Sequence, residues 1–278
     1  MNIRRSQISM MNIQYKYYPF KRFLDDAVKY GIDHIEIWGA APHFYVDDLT
    51  YTDIERMNME IVSRGLSVVC YTPEQCIYPI NIAAERESER RRSIKYFEDQ
   101  IRIAEELGAD KMLVTSGWGY FDGSNYQSAW NYAKEGLLDI AECASLHHVK
   151  IALEVLRKDE SNLVNDLPSL TKMMREIDHD NLYAIMDTCP MSLNGRSPKD
   201  YLKTLGSKLL HIHFIDGMPG KHLAWGDGKL PLEKYLTELS DYNYQGFLSL
   251  EITDNRYFID PEISVKRSMT ELQKFIVE

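Results

Sequence analysis

Eight short apolar segments recur along the 278-residue chain, and a longer stretch with helical spacing of apolar residues follows each one. This alternation predicts parallel strands connected by helices, and the number eight favours a closed (β/α)8 TIM barrel. An open, doubly wound α/β sheet stays as the alternative, because counting strands does not prove closure. The predicted strands are SQISMM (6–11), HIEIW (34–38), LSVVCY (66–71), KMLVTS (111–116), VKIALEV (149–155), LYAIMD (182–187), KLLHIHFI (208–215) and FLSLEI (247–252).

The stretches between these strands carry the start and stop signals of helices. Gly31, Gly65 and Gly108 each stand where a helix must end before the next strand. Ser197 and Pro198 read as an N-cap followed by proline at the first helical position. No linker rich in Pro, Gly or Ser divides the chain, so we expect a single barrel domain over residues 1–278. Helices are predicted near 20–30, 52–64, 86–107, 127–147, 167–177, 198–205, 231–239 and 261–277.

Charge and composition argue against several classes of partner. The formal net charge is -10, which would repel the phosphate backbone of a nucleic acid. No apolar run approaches the roughly 20 residues that span a bilayer. The cysteines at 70, 76, 143 and 189 lack CxxC spacing and are expected to be reduced thiols. We therefore expect a cytoplasmic protein that binds neither nucleic acid nor membrane.

Ionisable residues interrupt four of the apolar segments, each near the end of its segment. They are Glu154 in IALEV, Asp187 in YAIMD, His213 in LLHIHFID and Glu251 in FLSLEI. A buried ionisable group is costly unless it is paired or bound to a metal. Parallel barrel strands end at one mouth, so the four side chains are predicted to form a single divalent-metal site.

The ligand set of three carboxylates and one imidazole suits a hard cation. Mn²⁺ is the first expectation, with Mg²⁺, Co²⁺, Ni²⁺ and Zn²⁺ as alternatives. Each residue also has a simpler interpretation: a glutamate at a strand end often forms an ion pair, and a strand histidine is often structural. His211 shares the side-chain parity of His213 and is its rival as a ligand.

Seven segments along the chain combine residue type and order in a distinctive way: IEIWGAAPHF (35–44), YTPE (71–74), YPIN (78–81), LEVLRKDESN (153–162), MDTCP (186–190), HIHFID (211–216) and GDGKLPL (226–232). Together with the four ionisable residues, these segments resemble the xylose-isomerase-like TIM-barrel superfamily of sugar isomerases and epimerases. Within that superfamily the chain is most similar to fructoselysine 3-epimerases and other ketose 3-epimerases.

The resemblance implies a metal-dependent inversion at C3 of a ketose or ketosamine, with fructoselysine or psicoselysine as the first candidate substrate. Glu154 and Glu251 would exchange the proton on opposite faces of the sugar while also binding the metal. Asp187 and His213 would complete the metal shell. Which glutamate acts as the base stays open. The relatives also suggest a homodimer or tetramer.

The resemblance further implies substrate contacts in the loops that follow the strands. Each has a structural alternative, such as a packing tryptophan or an exposed loop acid. The predicted substrate-binding residues are Trp38, His43, Glu74, Tyr78, Asn81, Trp118, Glu160, Asp216 and His222.

Two positions depart from the pattern of epimerases that act on free ketohexoses. Those enzymes carry a histidine where this chain has Pro190, and an arginine where it has Pro219. Both departures favour the fructoselysine type. The alternatives are another sugar or sugar-phosphate isomerase, an inosose-type dehydratase, or a non-catalytic barrel that binds sugar or metal.

Overall fold

A closed barrel of parallel strands forms the centre of the protein. The computed structural model describes residues 1–217 and 220–278, and within these residues eight strands pair in chain order from β1 to β8. Ser9 of β1 pairs with Ser249 of β8, which closes the ring. The predicted (β/α)8 TIM barrel is therefore confirmed, and the open sheet is excluded. The strands are β1 (Ile8–Met11), β2 (His34–Gly39), β3 (Ser67–Pro73), β4 (Lys111–Val114), β5 (Lys150–Glu154), β6 (Leu182–Asp187), β7 (Leu209–His213) and β8 (Leu248–Leu250).

Helices surround the barrel and begin where the sequence carries capping residues. Asp166 and Ser197 each form a capping box at the start of a helix whose first turn contains proline. No helix in the described ranges is long and apolar enough to cross a membrane. The helices are α1 (Phe20–Lys29), α2 (Tyr51–Val62), α3 (Glu87–Glu106), α4 (Tyr126–Leu146), α5 (Leu167–Ile177), α6 (Thr188–Leu193), α7 (Pro198–Leu205), α8 (Leu232–Asp241) and α9 (Glu262–Leu272).

Several elements begin or end one to three residues from their predicted bounds, and two helices differ more from the sequence prediction. The short helix α6 follows β6 directly, because the Asp187 side chain accepts a hydrogen bond from the Cys189 backbone N–H at 2.7 Å and caps it. Helix α9 ends at Leu272, five residues before the predicted end. Beyond it the chain returns to the barrel, where Val277 pairs with Arg4 in a parallel bridge.

The apolar core has an outer layer and an inner one. The outer layer packs the helices onto the strands and includes the fully buried Trp130 of α4. The inner layer is a cluster of Cys70, Leu113, Ala152 and Ile185 inside the barrel. Ala152 and Ile185 lie two residues before the ends of β5 and β6, on the inward face of the sheet. This cluster fills the barrel below the carboxyl ends of the strands, so a site can form only at the open mouth.

Candidate metal centre and active site

Four ionisable side chains meet at the carboxyl ends of consecutive strands. Glu154, Asp187 and His213 are the last residues of β5, β6 and β7, and Glu251 directly follows β8. One ligand atom from each residue lies within 4.8 Å of the corresponding atoms of the other three. The residues that the sequence predicts as metal ligands are thus brought together at one point.

The imidazole of His213 stands at the centre of this group. Its Nδ1 atom lies 2.7 Å from Oε1 of Glu154 and 3.0 Å from Oε2 of Glu251. The Nδ1 atom and Glu154 Oε1 are buried, yet neither makes a hydrogen bond of acceptable geometry. Buried polar atoms without partners are rare in proteins, and a shared cation would satisfy both. The donor set therefore fits a divalent metal ion that prefers oxygen ligands.

The carboxylates of the site differ in acidity because their surroundings differ. Burial raises the pKa of Glu154 to about 7 and that of Asp187 to about 6. Burial would also raise the pKa of Glu251, but His213 and His222 outweigh it and lower this pKa to about 2. Burial would lower the pKa of His213, yet the surrounding carboxylates hold it well above its usual value.

The other ring nitrogen of His213 is bound to a residue that the sequence analysis missed. Its Nε2 atom lies 3.0 Å from Oε1 of Glu36, and Nε2 of His211 lies 2.9 Å from Oε2 of the same carboxylate. All three side chains are fully buried. The available signal was a glutamate within the apolar run HIEIW, the same signal that identified the four convergent residues. His211 belongs with Glu36 and Cys70 in a separate cluster below the metal site.

A cavity of about 330 Å³ opens directly above the convergent residues. Its walls come from the end of β2, from α6 and from the segments after β1, β3, β4, β5, β7 and β8. A volume of this order accommodates a small sugar. The lining residues predicted from the sequence are Trp38, Glu74, Glu154, Glu160, Asp187, His222 and Glu251.

The predicted substrate contacts in this wall are held by further hydrogen bonds. The indole N–H of Trp38 donates to Oε2 of Glu74 at 2.9 Å, and Oε1 of Glu74 accepts from the backbone N–H groups of Cys76 and Ile77. Glu160 lies 2.8 Å from the guanidinium of Arg157, which also lines the cavity. The polar groups of the wall are thus fixed before any ligand binds.

His222 enters the cavity from the loop after β7. Its Nε2 atom lies 3.3 Å from Oδ2 of Asp187, and its Nδ1 atom lies 3.3 Å from Oε2 of Glu251. Burial would lower its pKa, but Asp187, Cys189 and Glu251 raise it well above the ordinary value. His222 therefore bridges two of the convergent carboxylates on the cavity side.

Five other predicted substrate contacts lie outside the lining of this cavity. The His43 ring contacts Asn12 and the Tyr18 carbonyl, while the Tyr78 hydroxyl accepts from the Ala41 backbone N–H. These bonds hold the loop after β2. The five predicted contacts that do not line the cavity are His43, Tyr78, Asn81, Trp118 and Asp216.

Asn81, Trp118 and Asp216 hold loops together. The Asn81 amide donates to the Trp118 carbonyl and accepts from its backbone N–H, and both residues border a separate surface cavity. Asp216 is buried and accepts four backbone hydrogen bonds, from Gly217, Gly226, Gly228 and Leu230.

Pro190 and Pro219, the two positions that depart from the pattern of free-ketohexose epimerases, differ in what the structure describes of them. Pro190, in the first turn of α6, lines the cavity next to Asp187. Its ring offers no hydrogen-bond donor toward a ligand. Pro219 lies outside the described residues.

Comparisons with known proteins agree with the fold. Residues 24–275 match the model of the family described as xylose isomerase-like TIM barrel. Fructoselysine 3-epimerase of Shigella flexneri is 27% identical over 263 residues, which cover 94% of each chain. D-psicose 3-epimerase of Ruminiclostridium cellulolyticum is 23% identical over 236 residues, 84% of this chain and 78% of the relative.

Solved structures share the fold at lower identity. The D-psicose 3-epimerase of Clostridium cellulolyticum H10, determined with D-tagatose, superposes with a TM-score of 0.79 at 17% identity, covering 98% of this chain and 99% of the other. An L-ribulose 3-epimerase superposes with a TM-score of 0.82 at 19% identity, covering 99% and 94%. With its closed barrel and the match over nearly its full length, the chain belongs to the xylose isomerase-like TIM barrel family.

Proposed function

We propose that this protein is a divalent-metal-dependent sugar epimerase that inverts C3 of a ketose or ketosamine. The observation that carries the proposal is the convergence of Glu154, Asp187, His213 and Glu251 within 4.8 Å beside a sugar-sized cavity. Mn²⁺ is the ion that we expect. A bound divalent ion would stabilise the negative charge that develops on the substrate oxygens when a proton leaves the neighbouring carbon.

The two glutamates supply the proton exchange. Glu154 and Glu251 both line the cavity and come from strands on either side of β6 and β7. Inversion needs one group to remove the C3 proton from one face and another to return a proton to the opposite face.

The remaining wall residues would hold the sugar. Trp38 offers an aromatic face that suits the apolar side of a pyranose or open-chain sugar. Glu74, Glu160 and His222 offer charged hydrogen-bonding groups around it. Asp187 and His213 would bind the ion without transferring protons.

Fructoselysine or psicoselysine is the substrate that we expect first. Its C1 substituent ends in an amino acid and so carries charges of both signs. The cavity rim offers two ion pairs, Arg157 with Glu160 at 2.8 Å and Lys221 with Asp254 at 3.1 Å. The fructoselysine 3-epimerase relatives and the proline at position 190 support the same choice.

Proton exchange in D₂O tests this function directly. The Mn²⁺-loaded protein is incubated with a panel of ketoses and ketosamines, and NMR follows deuterium at each carbon. We expect deuterium at C3 together with the C3 epimer, fastest for the ketosamine. Incorporation only at C1 would indicate an aldose–ketose isomerase, and loss of water from the substrate would indicate a dehydratase. Absence of exchange at every carbon would leave a sugar- or metal-binding barrel and contradict the proposal.

A further inference from the structure

Glu36 lies in the barrel interior behind the metal site. Its side chain is fully buried, and it is absent from the residues that line the cavity. One carboxylate oxygen lies 3.0 Å from Nε2 of His213, and the other lies 2.9 Å from Nε2 of His211. The Thr72 hydroxyl donates a further hydrogen bond to the oxygen that faces His213. One carboxylate therefore holds two imidazoles and is itself held by a third side chain.

We propose that Glu36 is a positioning residue for the metal centre, which orients the His213 ring so that Nδ1 faces the cation. This inference rests on the metal dependence in the proposed function and goes beyond it. Glu36 itself touches neither the cation nor the sugar.

The argument begins with the two nitrogens of His213. An ionised carboxylate can only accept hydrogen bonds, so Nε2 carries the proton in its contact with Glu36. With Nε2 committed to Glu36, Nδ1 is the nitrogen whose lone pair is available to a cation. That lone pair points to the position between Glu154 and Glu251, where Nδ1 lies 2.7 Å and 3.0 Å from their oxygens. Carboxylates hydrogen-bonded to the outer nitrogen are a common means of fixing histidine ligands.

The location of Glu36 argues against simple space filling. Inward positions of a TIM barrel are usually occupied by branched aliphatic side chains. The neighbouring inward residues Cys70, Leu113, Ala152 and Ile185 do form an apolar cluster. A carboxylate at this depth is costly, because it must be fully paired. A requirement to orient His213 explains the carboxylate, whereas core packing alone would be satisfied by isoleucine or valine.

Metal titration of matched variants tests the proposal. Metal-free parent protein, Glu36→Gln and Ile185→Val are titrated with Mn²⁺ by calorimetry, well below the unfolding midpoint of each. Glutamine keeps the shape of Glu36 but turns an N–H donor toward one of the imidazoles. Ile185→Val perturbs the same buried layer and leaves the contact between Glu36 and His213 intact. The visible spectrum of the Co²⁺-loaded proteins reports the geometry of the bound ion.

We expect Glu36→Gln to raise the Mn²⁺ dissociation constant about 10- to 100-fold and to change the Co²⁺ spectrum. Ile185→Val should leave both readouts unchanged, although it lowers stability. A folded Glu36→Gln protein with the parent's affinity and spectrum would overturn the positioning role. If Glu36→Gln does not fold, Thr72→Val is titrated instead, because it removes the hydrogen bond that holds Glu36. A higher Mn²⁺ dissociation constant in Thr72→Val supports the positioning role of Glu36, and an unchanged one overturns it. A parent that binds no Mn²⁺ would overturn the proposed function as well, so the two failures are distinguishable.

Discussion

Oε1 of Glu154 lies 2.7 Å from Nδ1 of His213, and neither atom makes a hydrogen bond of acceptable geometry. Both atoms are buried, so water does not satisfy them. A cation held between them, with Asp187 and Glu251, accounts for this arrangement. The predictions that follow depend on that interpretation.

Metal binding should weaken as the pH falls. A metal binds the deprotonated carboxylates, and Glu154 and Asp187 have pKa values of about 7 and about 6 in the ion-free protein. Above pH 7 both are largely ionised, and below it protons compete with the ion. We therefore expect the Mn²⁺ dissociation constant to increase as the pH is lowered from 8 to 5.5. Calorimetry in two buffers of different ionisation enthalpy would count the protons released. An affinity that is flat across this range would contradict the raised pKa values.

Replacing either proton-transferring glutamate should lower kcat by at least two orders of magnitude. Removing an acid or base group typically costs about 10²- to 10⁴-fold in rate. We expect Glu154→Gln and Glu251→Gln each to lose at least this much of kcat, because inversion needs both faces. The exposed Glu233→Gln is the matched control and should retain the parent's rate. Metal content, measured on the same samples, separates loss of chemistry from loss of the ion. Full kcat in either cavity variant would exclude two-glutamate exchange.

Replacing His222 should lower kcat/KM for the sugar more than it lowers the affinity for Mn²⁺. It lies in the cavity wall, 3.3 Å from both Asp187 and Glu251, but it is not among the four convergent groups. A hydrogen bond to a charged partner contributes about 1.5–3 kcal/mol, so His222→Asn should lower kcat/KM about 10- to 100-fold. Its Mn²⁺ affinity should stay close to that of the parent. The surface substitution His147→Asn serves as control. A larger effect on Mn²⁺ affinity than on kcat/KM would make His222 part of the metal shell.

Asp216 should contribute to stability through the loop after β7. It is buried and accepts backbone hydrogen bonds of 2.7 Å from Gly217, 3.0 Å from Gly226, 2.8 Å from Gly228 and 2.9 Å from Leu230. Leaving these donors without a partner should lower the free energy of unfolding by about 3 kcal/mol in Asp216→Ala. Urea unfolding measures the change. Asp216→Asn keeps one acceptor oxygen and should lose less. Equal stability of parent and Asp216→Ala would show that the loop does not depend on this carboxylate.

The barrel could be predicted because parallel strands buried on both faces leave continuous apolar segments in the sequence. The convergent residues could be predicted because each interrupts such a segment at its end, and strand order brings the ends together. Glu36 could have been found in the same way, but it lies in the middle of β2, where its partners on β7 are 175 and 177 residues away. Only the closure of the barrel brings them into contact.

The contacts within the loops could not be predicted from the sequence, for a different reason. Asp216 and Asn81 bind backbone groups whose positions depend on the loop conformation. The residue type alone does not distinguish an acid that anchors a loop from one that faces a ligand. Helix α6 was missed because its six residues follow β6 directly and are too few to show a helical repeat of apolar positions.

Anomalous scattering at the manganese edge, from crystals loaded with Mn²⁺, tests the central claim most directly. We predict one peak at the barrel mouth, about 2.0–2.6 Å from a ligand atom of each of Glu154, Asp187, His213 and Glu251. Density at the Glu36, Cys70 and His211 cluster instead, or no peak among the four side chains, would contradict the proposed metal centre and the epimerase mechanism built on it.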